Sequence, residues 1–197
     1  MTNKRHPGVT TDTVVSAFEV MGRYLLEREI LGEIAVYGGT AIMLQFEWRK
    51  VTEDVDAVIR ASEREGAIKD AIIYAALRLD LPDDWLNNYV GSFTPETESE
   101  AFFSVYGTYP RGRTAALRVF VAKPEYICAM KLKALQRDDV GDRDFNDAVA
   151  LAAAVGIRTA TELADLFAAF FPEEKLDPGA AARLPAVAEA IKARSKR

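Results

Sequence analysis

The sequence predicts a mixed α+β fold, in which a small mixed sheet with flanking helices is followed by a C-terminal helical half. Short apolar or alternating runs typical of strands occur only in the first 122 residues. Apolar residues at helical spacing lie between these runs, and no strand-like run follows Pro124. We therefore expect an α/β core over residues 1–122 and a helical region over residues 123–197 packed against it.

The first helix is expected over Thr11–Glu29, because Thr11 or Asp12 can cap it and apolar residues recur at helical spacing behind them. The apolar run Ile34–Tyr37 predicts a buried strand. Gly38-Gly39 ends this strand in a turn, and Thr40–Gln45 resumes as a short helix.

The remaining elements of the core are predicted from helical spacing and from the alternation typical of strands. We expect a strand over Val55–Ile59, a helix over Ser62–Arg78, and a helical turn that starts at Pro82 and ends at Asn87-Asn88. Two further strands are expected over Ala101–Tyr106 and Ala115–Val121.

The second half is expected to be entirely helical. Its four predicted helices are Glu125–Arg137, Asp142–Val155, Thr159–Phe170 and Gly179–Ala193. The segment Val121–Pro124 is a tight joint between a strand and a helix, so the two halves are expected to pack together with a cleft that suits a ligand.

Composition limits the class of protein. The chain is 49% hydrophobic and 28% charged, which is typical of a soluble globular protein, and no apolar run approaches the roughly 20 residues of a membrane span. We expect a cytoplasmic protein with no membrane partner. The net charge of −5 argues against broad binding to nucleic acid, and one cysteine with one histidine excludes a zinc site of the usual kind.

Gly38-Gly39-Thr40 stands between a predicted strand and a predicted helix. Glycines in such a turn permit positive φ and let the backbone approach a bulky anion. The N–H groups that open the following helix favour negative charge, and Thr40 adds a hydroxyl donor. The segment is therefore a candidate site for the phosphates of a nucleotide.

Asp54 and Asp56 lie two residues apart at the start of the next predicted strand. Period-two geometry places both carboxylates on one face, where they repel each other unless a cation or strong donors lie between them. Oxygen ligands of this kind suit Mg²⁺, which commonly shares its coordination with substrate phosphates. The pair is a candidate metal site.

Taken together, Gly38-Gly39-Thr40-Ala41 and the segment Arg49–Asp56, with Arg49, Thr52, Asp54 and Asp56, resemble the minimal nucleotidyltransferases of the DNA polymerase β superfamily. The chain is most similar to the AbiEii/AbiGii toxin-like group. The second half adds to this resemblance with Lys131-Leu132-Lys133-Ala134, Arg137 and Asp144-Phe145-Asn146-Asp147. The resemblance spans about residues 34–155.

The resemblance implies a role for each of these residues. Asp54 and Asp56 would hold Mg²⁺ and act in catalysis together with Lys131 and Asp144. The nucleoside triphosphate would contact Gly38, Gly39, Thr40, Arg49, Thr52, Lys131 and Arg137. Three roles stay open for Asp144: metal ligand, base, or the partner that holds Lys131. The superfamily's third carboxylate is absent from the strand over Ala115–Val121.

Three functions follow as hypotheses. The first is Mg²⁺-dependent transfer of a nucleoside monophosphate from an NTP to an acceptor, which the resemblance implies is tRNA, by a toxin with a cognate antitoxin. The second is nucleotidylation of a small molecule such as an aminoglycoside, whose positive charge would suit an acidic protein. The third is a non-catalytic nucleotide-binding homologue, which the missing carboxylate motivates.

Overall fold

The computed structural model describes residues 8–61, 64–136 and 142–194. The fold is mixed α+β, as the sequence predicts, with seven α-helices, a five-stranded mixed sheet and a two-stranded sheet in that part of the chain. The chain divides into two compact units. The first holds the described residues up to Gly91 with Phe103–Ala122, and the second holds Ser92–Phe102 and the described residues from Lys123 onward.

The first unit contains every strand found in the described residues. Its elements are β1 (Val9–Thr10), α1 (Thr11–Leu26), β2 (Gly32–Val36), α2 (Gly38–Gln45), β3 (Val51–Thr52), β4 (Val55–Ala61), α3 (Glu65–Leu79), β5 (Leu86–Asn87), β6 (Phe103–Tyr109) and β7 (Leu117–Ala122). The main sheet has the strand order β5-β4-β2-β7-β6, and β1 pairs with β3 separately. In the main sheet, β2 is antiparallel to β4 and parallel to β7.

The contacts around Gly32 show which face of the main sheet is covered by helices. A Cβ at Gly32 would meet the side chains of Ile68 on α3 and Leu25 on α1, so these helices cover the face to which Gly32 and its partner Leu117 belong. Alternation then places Ala35 and its two Cα partners, Val58 and Phe120, on the opposite face. We call the opposite face the second face of the sheet.

Local sequence explains where several elements begin. The hydroxyl of Thr10 caps α1 by accepting a hydrogen bond from the backbone N–H of Thr13 at 3.3 Å. Pro124 occupies the first turn of α4 (Pro124–Ala134), where a missing N–H costs nothing. Thr159 caps α6 (Ala160–Phe170) in a capping box with Glu162.

Several details of the core differ from the sequence-based expectation, among them the cap of α1, which is Thr10 and not Thr11 or Asp12. The helical turn expected from Pro82 to Asn88 is present only as one hydrogen-bonded turn, in which the backbone N–H of Trp85 donates to the carbonyl of Pro82 at 3.0 Å. It ends at β5, because Leu86 and Asn87 pair in parallel with the start of β4. The helix expected from Thr40 starts at Gly38. The strand expected over Ala101–Tyr106 starts at Phe103 and runs to Tyr109, since the ladder with β7 continues through Gly107.

The second unit is helical, with α4, α5 (Asp142–Ala154), α6 and α7 (Pro178–Arg194). It contains an aromatic cluster: the ring of Tyr126 lies 5.0 Å from that of Phe102 and 5.3 Å from that of Phe170, between centroids. Phe167 and Phe171 stack at 4.8 Å. None of the helices in the described part of the chain combines the length and apolar character that a membrane span requires.

Candidate functional site

The glycine turn and the two aspartates lie together in the first unit. The hydroxyl of Thr40, on α2, donates a hydrogen bond to the backbone carbonyl of Asp54 at 2.8 Å. The backbone N–H of Tyr37 donates to the carbonyl of Asp56 at 2.9 Å. These two bonds fix the first turn of α2 against the entry of β4, and they bring Gly38 next to the candidate metal ligands.

The backbone at position 38 adopts a conformation, and makes a close contact, that only glycine allows without strain. Its φ is +55°, and a Cβ there would collide with Oδ2 of Asp56. The carboxylate of Asp56 therefore lies directly against the backbone at the N-terminus of α2. That backbone carries N–H groups and a partial positive charge, both of which favour an anion.

Arg49 and Thr52 lie on the other side of the same turn. A Cβ at Gly39 would come within 2.7 Å of the Thr52 hydroxyl oxygen and 3.0 Å of Nη2 of Arg49. The guanidinium of Arg49 is half-buried against the first turn of α2. The site thus combines the N-terminus of a helix with a cation that can form paired hydrogen bonds to phosphate oxygens.

Asn87 is a member of this site that the sequence did not identify. Its side-chain amide donates a hydrogen bond to Oδ2 of Asp54 at 2.7 Å, and Asn87 is also the Cα partner of Asp56 in the ladder between β4 and β5. This places Asn87 beside both aspartates and fixes the orientation of the Asp54 carboxylate. The only signal in the sequence was a polar residue directly after the buried Leu86.

Lys131 and Asp144 lie together in the second unit. The ammonium of Lys131, on α4, is 2.5 Å from Oδ1 of Asp144 and 3.1 Å from Oδ2 of Asp147, both on α5. The three side chains are only 15%, 16% and 6% exposed, so the triad is largely shielded from solvent. Of the three roles open for Asp144, this contact favours that of the partner that holds Lys131. Arg137 lies outside the described residues.

Two further observations limit the chemistry of the chain. Burial raises the pKa of the Cys128 thiol to about 12, with Glu125 adding to the shift, so this cysteine is a neutral packing residue and not a nucleophile. Among the described residues, no group of three or more His, Cys, Asp or Glu side chains is arranged to hold a metal ion. A metal at Asp54 and Asp56 would therefore need ligands from a substrate or from water.

Comparisons of the chain with protein-family models, with curated proteins and with solved structures find no match.

Proposed function

We propose that the chain is a Mg²⁺-dependent nucleotidyltransferase that transfers a nucleoside monophosphate from an NTP to an acceptor. The observation that carries the proposal is the convergence, in one unit, of a helix N-terminus, a guanidinium and two carboxylates around Gly38 and Gly39. The first two features attract phosphate, and the carboxylates suit a divalent cation beside it. The order of motifs noted in the sequence supports the same function.

The donor set at this site fits Mg²⁺. Both aspartates offer oxygen only, which matches the preference of this ion, and the amide of Asn87 occupies one oxygen of Asp54 while leaving the other available. Two carboxylates would leave the other ligand positions of Mg²⁺ to water and phosphate oxygens, as is usual for this ion at phosphoryl-transfer sites. Asp54 and Asp56 are the residues that would hold the ion.

In this proposal each residue of the turn has a separate task. The N–H groups at the start of α2 and the guanidinium of Arg49 bind the phosphates, and Thr40 and Asn87 keep the Asp54 segment in position. When bound, Mg²⁺ neutralises negative charge on the departing pyrophosphate. Asp144 and Asp147 hold the ammonium of Lys131 in one orientation.

Isothermal titration of each NTP with Mg²⁺ tests the proposal. We expect the wild-type protein to bind at least one NTP, and the variants Asp54→Asn and Asp56→Asn to lose Mg²⁺-dependent affinity. Asp70→Asn serves as the matched control, because Asp70 is an exposed residue of α3 outside the site. Wild-type protein that binds no NTP, or aspartate variants that bind as the control does, would contradict the proposal.

The acceptor is tested with labelled NTPs. Transfer of label to total tRNA supports the polynucleotide acceptor, whereas transfer to an aminoglycoside supports the small-molecule alternative. Mg²⁺-dependent release of pyrophosphate with either acceptor eliminates the non-catalytic alternative. NTP binding with no release of pyrophosphate, for any acceptor offered, supports that alternative instead.

The proposal that the enzyme acts as a toxin has its own experiment. Expression of the wild-type chain in a bacterial host should slow growth, and Asp54→Ala should relieve this effect, because the variant lacks one of the two carboxylates. Co-expression of a small protein encoded beside the gene should also restore growth if that protein is the antitoxin. Equal growth with wild type and Asp54→Ala would rule out toxicity through this site.

A further inference from the structure

The guanidinium of Arg60 lies on the second face of the sheet, against two aromatic rings. Asp56, Val58 and Arg60 alternate along β4, so all three side chains are on the face to which Val58 belongs. The guanidinium carbon is 4.5 Å from the ring centroid of Phe103 on β6 and 4.9 Å from that of Phe120 on β7. Contacts with two rings hold the cation in position.

The pairing register shows how far along the sheet this guanidinium reaches. Phe103 is the Cα partner of Ala122, the last residue of β7. Strand β2 runs parallel to β7 and its last residue, Val36, is paired with the residue before Ala122, so Tyr37 lies level with Ala122. The backbone N–H of Tyr37 donates to the carbonyl of Asp56 at 2.9 Å. Phe103, Tyr37 and Asp56 therefore lie in one row across the sheet, and the guanidinium on the Phe103 ring is level with that row.

Contacts between rings connect the guanidinium to the candidate site. The ring of Phe103 meets that of Tyr37 edge to face, with 5.5 Å between centroids. Tyr37 is the N-cap of α2 and precedes Gly38, whose backbone lies directly against the carboxylate of Asp56. The guanidinium thus lies beside the N-terminus of α2 on the side of Asp56, whereas Arg49 lies on the other side of the same turn.

The hydrogen-bonding capacity of Arg60 is not used within the described part of the chain, where its contacts are the two rings. Arg118, on the same face, differs: its Nη1 forms an ion pair with Glu33 at 3.0 Å. A guanidinium has five N–H donors in a planar fork that matches the oxygens of phosphate. Arg60 is half-buried and held beside a helix N-terminus, a position that suits an anion.

We propose that Arg60 is a further NTP-binding residue, whose guanidinium donates hydrogen bonds to phosphate oxygens on the Asp56 side of the triphosphate. This inference rests on the proposed function and adds a residue to that same site. Arg49 and Arg60 then contact the phosphate chain from two sides of the turn. Because aromatic rings hold the guanidinium of Arg60, and not a carboxylate, its charge and its fork are available to the phosphates.

Titration calorimetry with three proteins tests the inference: wild type, Arg60→Gln and Arg118→Gln. The probes are ATP, GTP, CTP and UTP, each with Mg²⁺, and inorganic tripolyphosphate with Mg²⁺, which has the phosphate chain without the nucleoside. Arg118→Gln is the matched control, since it removes from the same face an arginine that Glu33 already neutralises. Circular dichroism shows whether each variant is folded.

We expect Arg60→Gln to weaken the binding of the NTP by about tenfold or more, as for loss of a charge-assisted hydrogen-bonded pair. Tripolyphosphate should lose affinity by a similar factor, because the lost contact is with the phosphate chain. Arg118→Gln should bind both probes within about twofold of wild type, as for an exposed ion pair of little net energy. A loss for the NTP without a loss for tripolyphosphate would place the contact at the nucleoside and overturn the inference.

Adding Asp56→Asn separates failure of this inference from failure of the proposed function. Folded Arg60 variants with wild-type affinity, beside an Asp56→Asn variant that loses Mg²⁺-dependent affinity, would overturn only the inference. The reverse result would overturn the proposed metal site and leave the phosphate contact at Arg60. Wild-type protein that binds neither probe would overturn both. If Arg60→Gln does not fold, Arg60→Lys keeps the charge but lacks the fork, and it should still bind both probes more weakly than wild type.

Discussion

At the scale of single residues, Gly38 shows how backbone conformation and site chemistry depend on each other. The φ of Gly38 is positive, a conformation that side chains disfavour. The carboxylate of Asp56 also occupies the space that a side chain at Gly38 would need. The glycine therefore does more than end a strand. It allows the carboxylate of the candidate metal site to approach the N-terminus of α2.

Substitution of Gly38 by alanine should lower the free energy of unfolding by about 1–3 kcal/mol, because the new Cβ is strained by both φ and contact with Asp56. NTP affinity should fall as well, since Asp56 must move. Urea denaturation measures the first effect and calorimetric titration the second. Gly66→Ala is the control: its Cβ meets nothing within 4 Å, and it should be neutral or stabilise α3 by up to about 1 kcal/mol.

A second prediction at this scale concerns the triad of Lys131, Asp144 and Asp147. Lys131→Met should lower the free energy of unfolding by about 3 kcal/mol or more, because two shielded carboxylates then lose their cation. Denaturant unfolding measures the loss. Lys192→Met, which removes a lysine from the exposed pair with Glu189, should change stability by no more than about 0.5 kcal/mol. Equal effects of the two substitutions would show that the triad is solvated.

At the scale of elements, short strands and caps decide the architecture of the site. The two-residue strand β5 brings Asn87 beside Asp56, and no sequence periodicity can indicate a strand of that length. Helix α6 shows the opposite situation. Its start is set locally by Thr159 and Glu162, three residues apart, and the sequence places that start correctly.

Thr159→Ala should cost about 1 kcal/mol of stability, as is usual for an N-cap. The substitution removes the acceptor for the backbone N–H of Glu162, which lies 3.2 Å from the Thr159 hydroxyl. Thermal or urea unfolding measures this loss. Ser16→Ala, an exposed position within α1, is the comparison and should have no destabilising effect, because alanine favours a helix interior.

The same cap predicts a dependence on pH. Hydrogen bonds from the backbone N–H groups of Arg158 and Thr159 hold the pKa of Glu162 below its ordinary value of 4.5. A depressed pKa in the folded state stabilises the protein above the unfolded-state pKa, and this stabilisation is lost as the pH falls through the folded-state pKa. The stability difference between wild type and Glu162→Gln should therefore be full at neutral pH and shrink below about pH 4.5. A difference that grows on acidification would contradict this assignment.

At the scale of the whole molecule, charge is the property that separates the candidate acceptors. The chain carries 25 basic and 30 acidic residues, so a broad basic surface for nucleic acid is not expected. If binding of a strand depends on few cations, the electrostatic component of that binding is small.

The salt dependence of RNA binding tests this. For single-stranded RNA, the slope of log K against log salt concentration should be shallow, near −1 to about −2, because each phosphate contact contributes about −0.7. Fluorescence anisotropy over a range of salt concentrations measures the slope. A value steeper than about −4 would reveal a basic surface that the net charge conceals.

The sequence by itself determined the class of fold, the order of the main helices and strands, and the candidate roles of Gly38, Asp54 and Asp56. These features depend on local periodicity and on residues close together in the chain, where steric and hydrogen-bonding preferences act directly. In the structure, Ser92–Phe102 belongs to the second unit together with the helices that follow Lys123.

Only the tertiary structure decided which distant side chains meet. Asn87 reaches Asp54 across 33 residues, Lys131 contacts two aspartates on the next helix, and Arg60 reaches the rings of Phe103 and Phe120. Such contacts depend on strand order, on pairing register and on the packing of neighbouring helices. A one-residue change in register redirects side chains to the other face of a sheet. Patterns along the chain therefore cannot predict which distant side chains come into contact.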